Sequence, residues 1–262
     1  MSMVRAPAVA GAFYPADPAV LHEEVQSFLA GVAPPAAPPP KALIVPHAGY
    51  IYSGPVAASA YARLRPLAGR IRRVVLLGPA HRVPFVGIAA PEAEYFDTPL
   101  GRVHVDQQAV EALADLPFVG RSDLPHAPEH SLEVQLPFLQ EVLGDFELVP
   151  LVVGQATPEQ VAAVLERLWD GDETLIVVSS DLSHYLPYEQ ARDIDQRTSQ
   201  AIAELRDEAI DHEQACGATP VRGLLQAARR HGLRAEVVDL RNSGDTAGPR
   251  DQVVGYGAYV FH

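Results

Sequence analysis

The chain has 262 residues, 48% of them hydrophobic, and a net charge of −13 from 33 acidic and 20 basic residues. That length and apolar content fit one large α/β domain over residues 1–262, near the upper end of what a single core supports. The acidic balance and the lack of any long Lys/Arg block argue against nucleic acid as a partner. No apolar run approaches the ~20 residues of a membrane span, and Cys216, the only cysteine, cannot form an intrachain disulfide.

The N-terminal MSMVRAPAVAGAFYPADP lacks a continuous apolar stretch and carries Pro7 and Pro15, so it does not read as a signal peptide. A cytoplasmic protein in a reducing compartment is the expectation. Asp17 then reads as an N-cap, with Pro18 at the first helical position and Val20, Leu21, Val25, Phe28 and Leu29 at helical spacing. GVAPPAAPPPK, from Gly31 to Lys41, is the one low-complexity stretch, and its prolines favour an extended path.

From there strands alternate with helices. Strands are expected near 42–46, 73–78, 86–90, 147–153, 174–179, 235–240 and 253–261. Runs such as LIVP, VVLLG and LIVVS are apolar on both faces, as a covered central sheet requires. Thr157, Pro158 and Gln160 form a capping box ahead of Val161, Val164, Leu165 and Leu168. A more polar helix is expected over 189–206, and Thr219-Pro220 opens another. The fold class is therefore α/β, a single αβα layered domain around a mostly buried sheet.

Several apolar runs end in chemistry-bearing side chains, which is where α/β folds place ligands. ALIVPH ends at His47, followed by a loop in which Gly49 and Gly54 permit turns and Pro55 can start a helix. Tyr50, Tyr52 and Ser53 in that loop are candidate pocket residues; a capping histidine is the alternative. RVVLLGPAH ends at His81. HAPEHSLEVQLPFL holds Glu129, Glu133 and Gln135 beside an apolar helix face, and His130, rather than His126, is the pocket candidate. HAPEH does not match the zinc-helix pattern H-E-x-x-H.

TLIVVSSDLSH brings Asp181 and His184 three residues apart, on one side if the loop turns helically. An aspartate so placed fixes an imidazole tautomer for proton transfer. Near the C-terminus, Ser243, Asp245 and Thr246 sit in a glycine-bounded loop within reach of such a pocket; an ordinary turn is the alternative. Cys216, in ACGATPV, reads as a small buried residue, with no nucleophile motif around it. GPVAAS lacks the lysine of a P-loop, and no G-x-G-x-x-G follows a strand.

Taken in order, VRAPAVAGAFYPADP, PHAGYIYSGPVAASAY, LLGPAH, TPLGRVHVD, EHSLEVQLPFL, SSDLSH, CGATPV and VVGYGAY resemble the MEMO family, in bacteria and archaea also called AmmeMemoRadiSam system protein B. That family is similar in fold to the class III extradiol dioxygenases, which hold non-haem Fe(II) with two histidines and a carboxylate. The resemblance implies that His47 and His81 are metal ligands and that Asp181 and His184 line the same pocket, with His184 as the acid/base histidine.

Some MEMO proteins place a cysteine in the C-terminal loop, where Thr246 falls in this chain on the following V-x-x-Y pattern. Asp245, one residue earlier, would restore a two-histidine, one-carboxylate set. The expectation is an Fe(II)-dependent, oxygenase-like redox enzyme, with Zn or Cu as other metals. One alternative is a non-catalytic protein that binds a small molecule, a peptide, or the AMMECR1-like and radical SAM proteins of the same system. The other is a zinc-dependent hydrolase.

Overall fold

A computed structural model describes residues 3–33 and 38–262. Residues 34–37, in the middle of the proline-rich connection, lie outside the described residues, and with them part of the extended path expected there.

Four strands form the parallel centre of the sheet, in the spatial order Glu147–Val153, Arg73–Pro79, Thr174–Ser179 and Ala42–Val45. Every residue of Ala42–Val45 and Thr174–Ser179 is buried, and the runs ALIV and LIVV within them are apolar on both faces. Val253–Phe261 pairs antiparallel with Ala42–Val45 and carries Ala235–Asn242 on its other side. At the opposite edge Gly101–Val105, Tyr95–Thr98 and Val4–Arg5 extend the sheet.

The connection from Ala42–Val45 to Arg73–Pro79 crosses the sheet in one direction, and that from Glu147–Val153 to Thr174–Ser179 crosses it in the other. Right-handed crossovers therefore put their helices on opposite faces. Pro18–Ala30, Tyr50–Tyr61 and Leu136–Leu143 pack together in one layer, and Pro158–Leu168 packs on Ala218–Arg230 in another. The result is an αβα arrangement with the switch in crossover direction at the site-bearing strands.

Capping chemistry sets several boundaries as the sequence indicates. Asp17 accepts from the backbone N–H of Ala19 and Val20, and Thr157 with Gln160 closes a capping box. Two boundaries differ. The helix expected to start at Pro55 begins at Tyr50, because the Phe13 carbonyl takes the Tyr50 N–H and the Gly49 carbonyl takes those of Tyr52 and Ser53. The helix expected at Thr219-Pro220 begins at Ala218 behind Gly217.

Among the described residues no helix is long and apolar enough to cross a membrane.

Candidate metal centre

Three adjacent parallel strands deliver the site. Pairing of Val45 with Ser179 and of Leu77 with Val178 brings their carboxyl ends level. His47 leaves the first, Asp181 follows the second, and His81 follows the third. The His47 and His81 ring centroids lie 5.1 Å apart, and His130 stacks on His81 at 4.7 Å.

The hydrogen-bond network determines which nitrogen of each histidine is free. Ser179 donates its one hydroxyl proton to the Ser131 carbonyl at 2.6 Å and accepts from the Gln135 side-chain amide at 2.8 Å. Its remaining capacity is as an acceptor, so His47 Nδ1–H donates to it at 2.9 Å and leaves Nε2 bare. His81 Nδ1–H donates to the Glu129 carboxylate at 2.9 Å, which leaves its Nε2 free in the same way. A metal-binding histidine commonly shows this arrangement, its second nitrogen fixed by an internal acceptor.

Glu129 is built for that task. Its carboxylate accepts the backbone N–H groups of His81, His130 and Ser131 as well as the His81 side chain. Burial pushes its pKa up, but the His81 hydrogen bonds and charge, with the Ser131 N–H, outweigh this and hold it at about 2. Burial, then the neighbouring imidazoles of His81 and His130, lowers the His47 pKa well below 6.5. His47 is therefore neutral at pH 7, the form that binds metals.

Cys216 supplies a third donor. Its Sγ lies 3.3 Å from His47 Nε2, and the metal-binding atoms of His47, His81 and Cys216 all fall within 4.8 Å of one another. The loop reaches in because Gly217 packs on Ser180: its N–H donates to Ser180 Oγ at 2.9 Å, and a Cβ there would stand 2.8 Å from the Ser180 side chain. Burial and then the Asp181 carboxylate push the Cys216 thiol up to about 12. Metal–nitrogen and metal–sulfur bonds of about 2.1 and 2.3 Å at right to tetrahedral angles separate N and S by roughly 3.1–3.6 Å, so the 3.3 Å gap fits a shared ion. His81, Glu129 and His130 form a second close group, but the Glu129 oxygens are already engaged by four N–H donors.

The structure separates the remaining sequence candidates. Asp181 is buried and accepts the His47 N–H at 2.7 Å, its pKa raised by that burial. It does not orient His184, as the helical-loop reading expected. The loop is not helical, and His184 Nδ1–H donates instead to the Leu182 carbonyl at 2.8 Å. Asp245 does not join the two histidines. One of its oxygens accepts from Tyr188 OH at 2.6 Å and the other from the Asn242 N–H at 3.0 Å, so it caps the short helix Ser243–Thr246. Thr246 Oγ1 turns back to the Ser243 carbonyl.

Tyr50 is a core residue whose OH donates to the Val134 carbonyl, and Ser53 is buried with its hydroxyl on the Ala48 carbonyl. His126 is likewise structural: Nε2–H donates to the Ala89 carbonyl, and burial lowers its pKa to about 4.

Sequence reasoning missed Cys216, read as a packing residue, and assigned no role to Glu129, Ser179 or Gln135. The only signal for Cys216 was its place just before a helix, followed by a glycine. A cavity of about 1010 Å³ opens beside the centre, lined by His81, His184 and Cys216 together with Gln190, Arg197 and Gln214.

A family model described as Memo-like protein matches residues 5–260. A MEMO1 family protein of Aquifex aeolicus is 38% identical over 98% of this chain and 99% of its own length. One from Aeropyrum pernix is 38% identical over 97% of this chain and 98% of its own. The fold is also similar to that of an uncharacterised Escherichia coli K12 protein, JW3007, with a TM-score of 0.55 at 15% identity over 84% of this chain and 98% of that one. With matches of this extent in both sequence and family pattern, the chain belongs to the MEMO1 family.

Proposed function

We propose that this protein is a metal-dependent, dioxygenase-like redox enzyme, with iron held by His47, His81 and Cys216. The observation that carries this reading is the hydrogen-bond logic at the centre. Both histidines spend Nδ1–H on internal acceptors, His47 Nε2 stands 3.3 Å from the Cys216 thiol, and a ligand nitrogen of His81 falls in the same close group. When bound, iron would supply one-electron chemistry and open positions for substrate and oxygen.

The chain's own residues do the rest. Glu129 keeps His81 in the ligating tautomer, and Ser179, set by Gln135 and Ser131, does so for His47. His184, its Nδ1–H fixed on the Leu182 carbonyl, offers Nε2 to accept or return a substrate proton at the cavity wall. The Asp181 carboxylate, on the His47 backbone, shapes the strand end rather than moving protons.

Anaerobic Fe(II) titration of wild type and His47→Ala tests this reading. Micromolar or tighter binding that is lost in the variant is expected; equal, weak binding by both would overturn it.

The donor set also favours a second reading, a zinc hydrolase, because two imidazoles and a thiolate suit zinc with an open position for water. Metal analysis after purification without added metal or chelator separates the two.

A further inference from the structure

The helix Tyr188–Ala203 carries an aspartate that the metal centre does not use. Asp195 lies in its interior, 2% exposed, and its hydrogen bond comes from a backbone N–H rather than from a cation. Aspartate is a poor helix former, and burying a carboxylate without a cation is unfavourable. Burial raises its pKa to about 6, with the Ser183 N–H and His184 acting in the opposite direction.

Its hydrogen bond identifies what it holds. Asp195 Oδ1 accepts the backbone N–H of Ser183 at 3.0 Å. Ser183 is fully buried, so without Asp195 that N–H would have no water to turn to. The neighbouring groups of the loop are tied to the last strand: Leu182 N–H donates to the Gly255 carbonyl, and Gly255 N–H donates to the Ser183 carbonyl, each at 2.8 Å. Gly255 is also where the carboxylate packs, since a Cβ there would stand 1.9 Å from Asp195 Oδ2.

The loop so fixed includes Leu182, whose carbonyl holds His184 Nδ1–H. The next residue, Tyr185, sits at φ +57, a region that a side-chain-bearing residue occupies only when its surroundings enforce it.

We infer that Asp195 is a positioning residue: through the Ser183 N–H and the Leu182 carbonyl it sets the tautomer and direction of His184. This rests on the reading of His184 as the proton-handling group. Asp195 is not among the residues that line the cavity or in the metal-donor group, and its hydrogen bond to the loop is to a backbone N–H.

The test is imidazole ¹⁵N NMR of the full chain, with amide hydrogen exchange at Ser183. Wild type is expected to show His184 as a single Nδ1–H tautomer. Asp195→Ser, one atom too short to reach, is expected to show both tautomers and Ser183 exchange faster by about tenfold or more. Asp195→Asn, whose amide oxygen can accept the same N–H, restores both signals. A single Nδ1–H tautomer in Asp195→Ser, with Ser183 still protected, overturns the inference.

Fe(II) affinity separates this outcome from the functional reading. Asp195→Ser should bind iron as wild type does. If wild type binds no metal, the functional reading fails while the tautomer result still decides the role of Asp195. If Asp195→Ser does not fold, Asp195→Asn against Gly255→Ala provides the comparison, because an added methyl displaces the carboxylate and should mix the tautomers; a single Nδ1–H tautomer in Gly255→Ala overturns the inference.

Discussion

Replacing Glu129 with glutamine tests how the second layer of the centre is built. The carboxylate takes four N–H donors, three from backbone and one from His81. A glutamine of the same shape has one oxygen and one NH₂ group, so at least one donor faces another donor in a buried site. The carboxyl is held at about 2 against an ordinary 4.5; at about 1.4 kcal/mol per pH unit this is about 3 kcal/mol of folded-state stability at neutral pH.

The direction follows from the lowered value. The contribution is fully present above the unfolded pKa of 4.5 and disappears as pH falls through about 2. Urea unfolding of wild type and Glu129→Gln at pH 7 should therefore differ by about 3 kcal/mol, and the gap should shrink steadily below pH 4.5. The variant should also bind Fe(II) about 10–100-fold more weakly, because His81 loses the anion that fixes its tautomer. Equal stability at pH 7, or a difference that does not change with pH, would refute the assignment of Glu129 as an ionised anchor.

Other consequences are open to simple measurement. Arg5 and Glu133 form a buried ion pair, and Glu133 also accepts from Ala8 N–H, Val9 N–H and Tyr14 OH, which ties the N-terminal segment to the Glu129 loop. Arg5→Ala should lose about 3–5 kcal/mol in chemical unfolding, and wild-type stability in the variant would contradict a clamp. Asp245→Ala removes a cap and should cost about 0.5–2 kcal/mol, with Fe(II) affinity unchanged by titration; a large affinity loss would restore Asp245 as a ligand. Asp195 has a folded pKa of about 6, above its ordinary 3.8, so its stabilising contribution is present below 3.8 and lost as pH rises through 6. Asp195→Asn does not titrate, and its stability relative to wild type should rise by about 3 kcal/mol from acid to neutral pH.

The fold was largely legible because its strands are long, apolar and buried on both faces. Glu147–Val153 and Thr174–Ser179 declare themselves by composition alone. Short strands such as Tyr95–Thr98 and His184–Leu186 did not, since their residues alternate in exposure or lie mostly exposed and owe their form to a neighbour. At the site, His47 and His81 could be read from their place after such runs. Glu129 and Cys216 could not be assigned, because their roles depend on contacts across 48 and 169 residues of chain. The helical turn assumed between Asp181 and His184 failed for the same reason. Backbone pairing with Gly255 holds that loop extended, and a pattern of i and i+3 carries no information about such a partner.

The proposed function requires that two histidines and one cysteine hold a transition metal. Its most direct test is the electronic spectrum of the Co(II)-loaded protein, recorded for wild type and for Cys216→Ser. A thiolate-to-cobalt charge-transfer band and strong visible bands of a low-coordinate site are expected in wild type. The charge-transfer band should vanish in Cys216→Ser, and all bands should vanish in His47→Ala. A wild-type spectrum without charge transfer, or one that Cys216→Ser leaves unchanged, would contradict it.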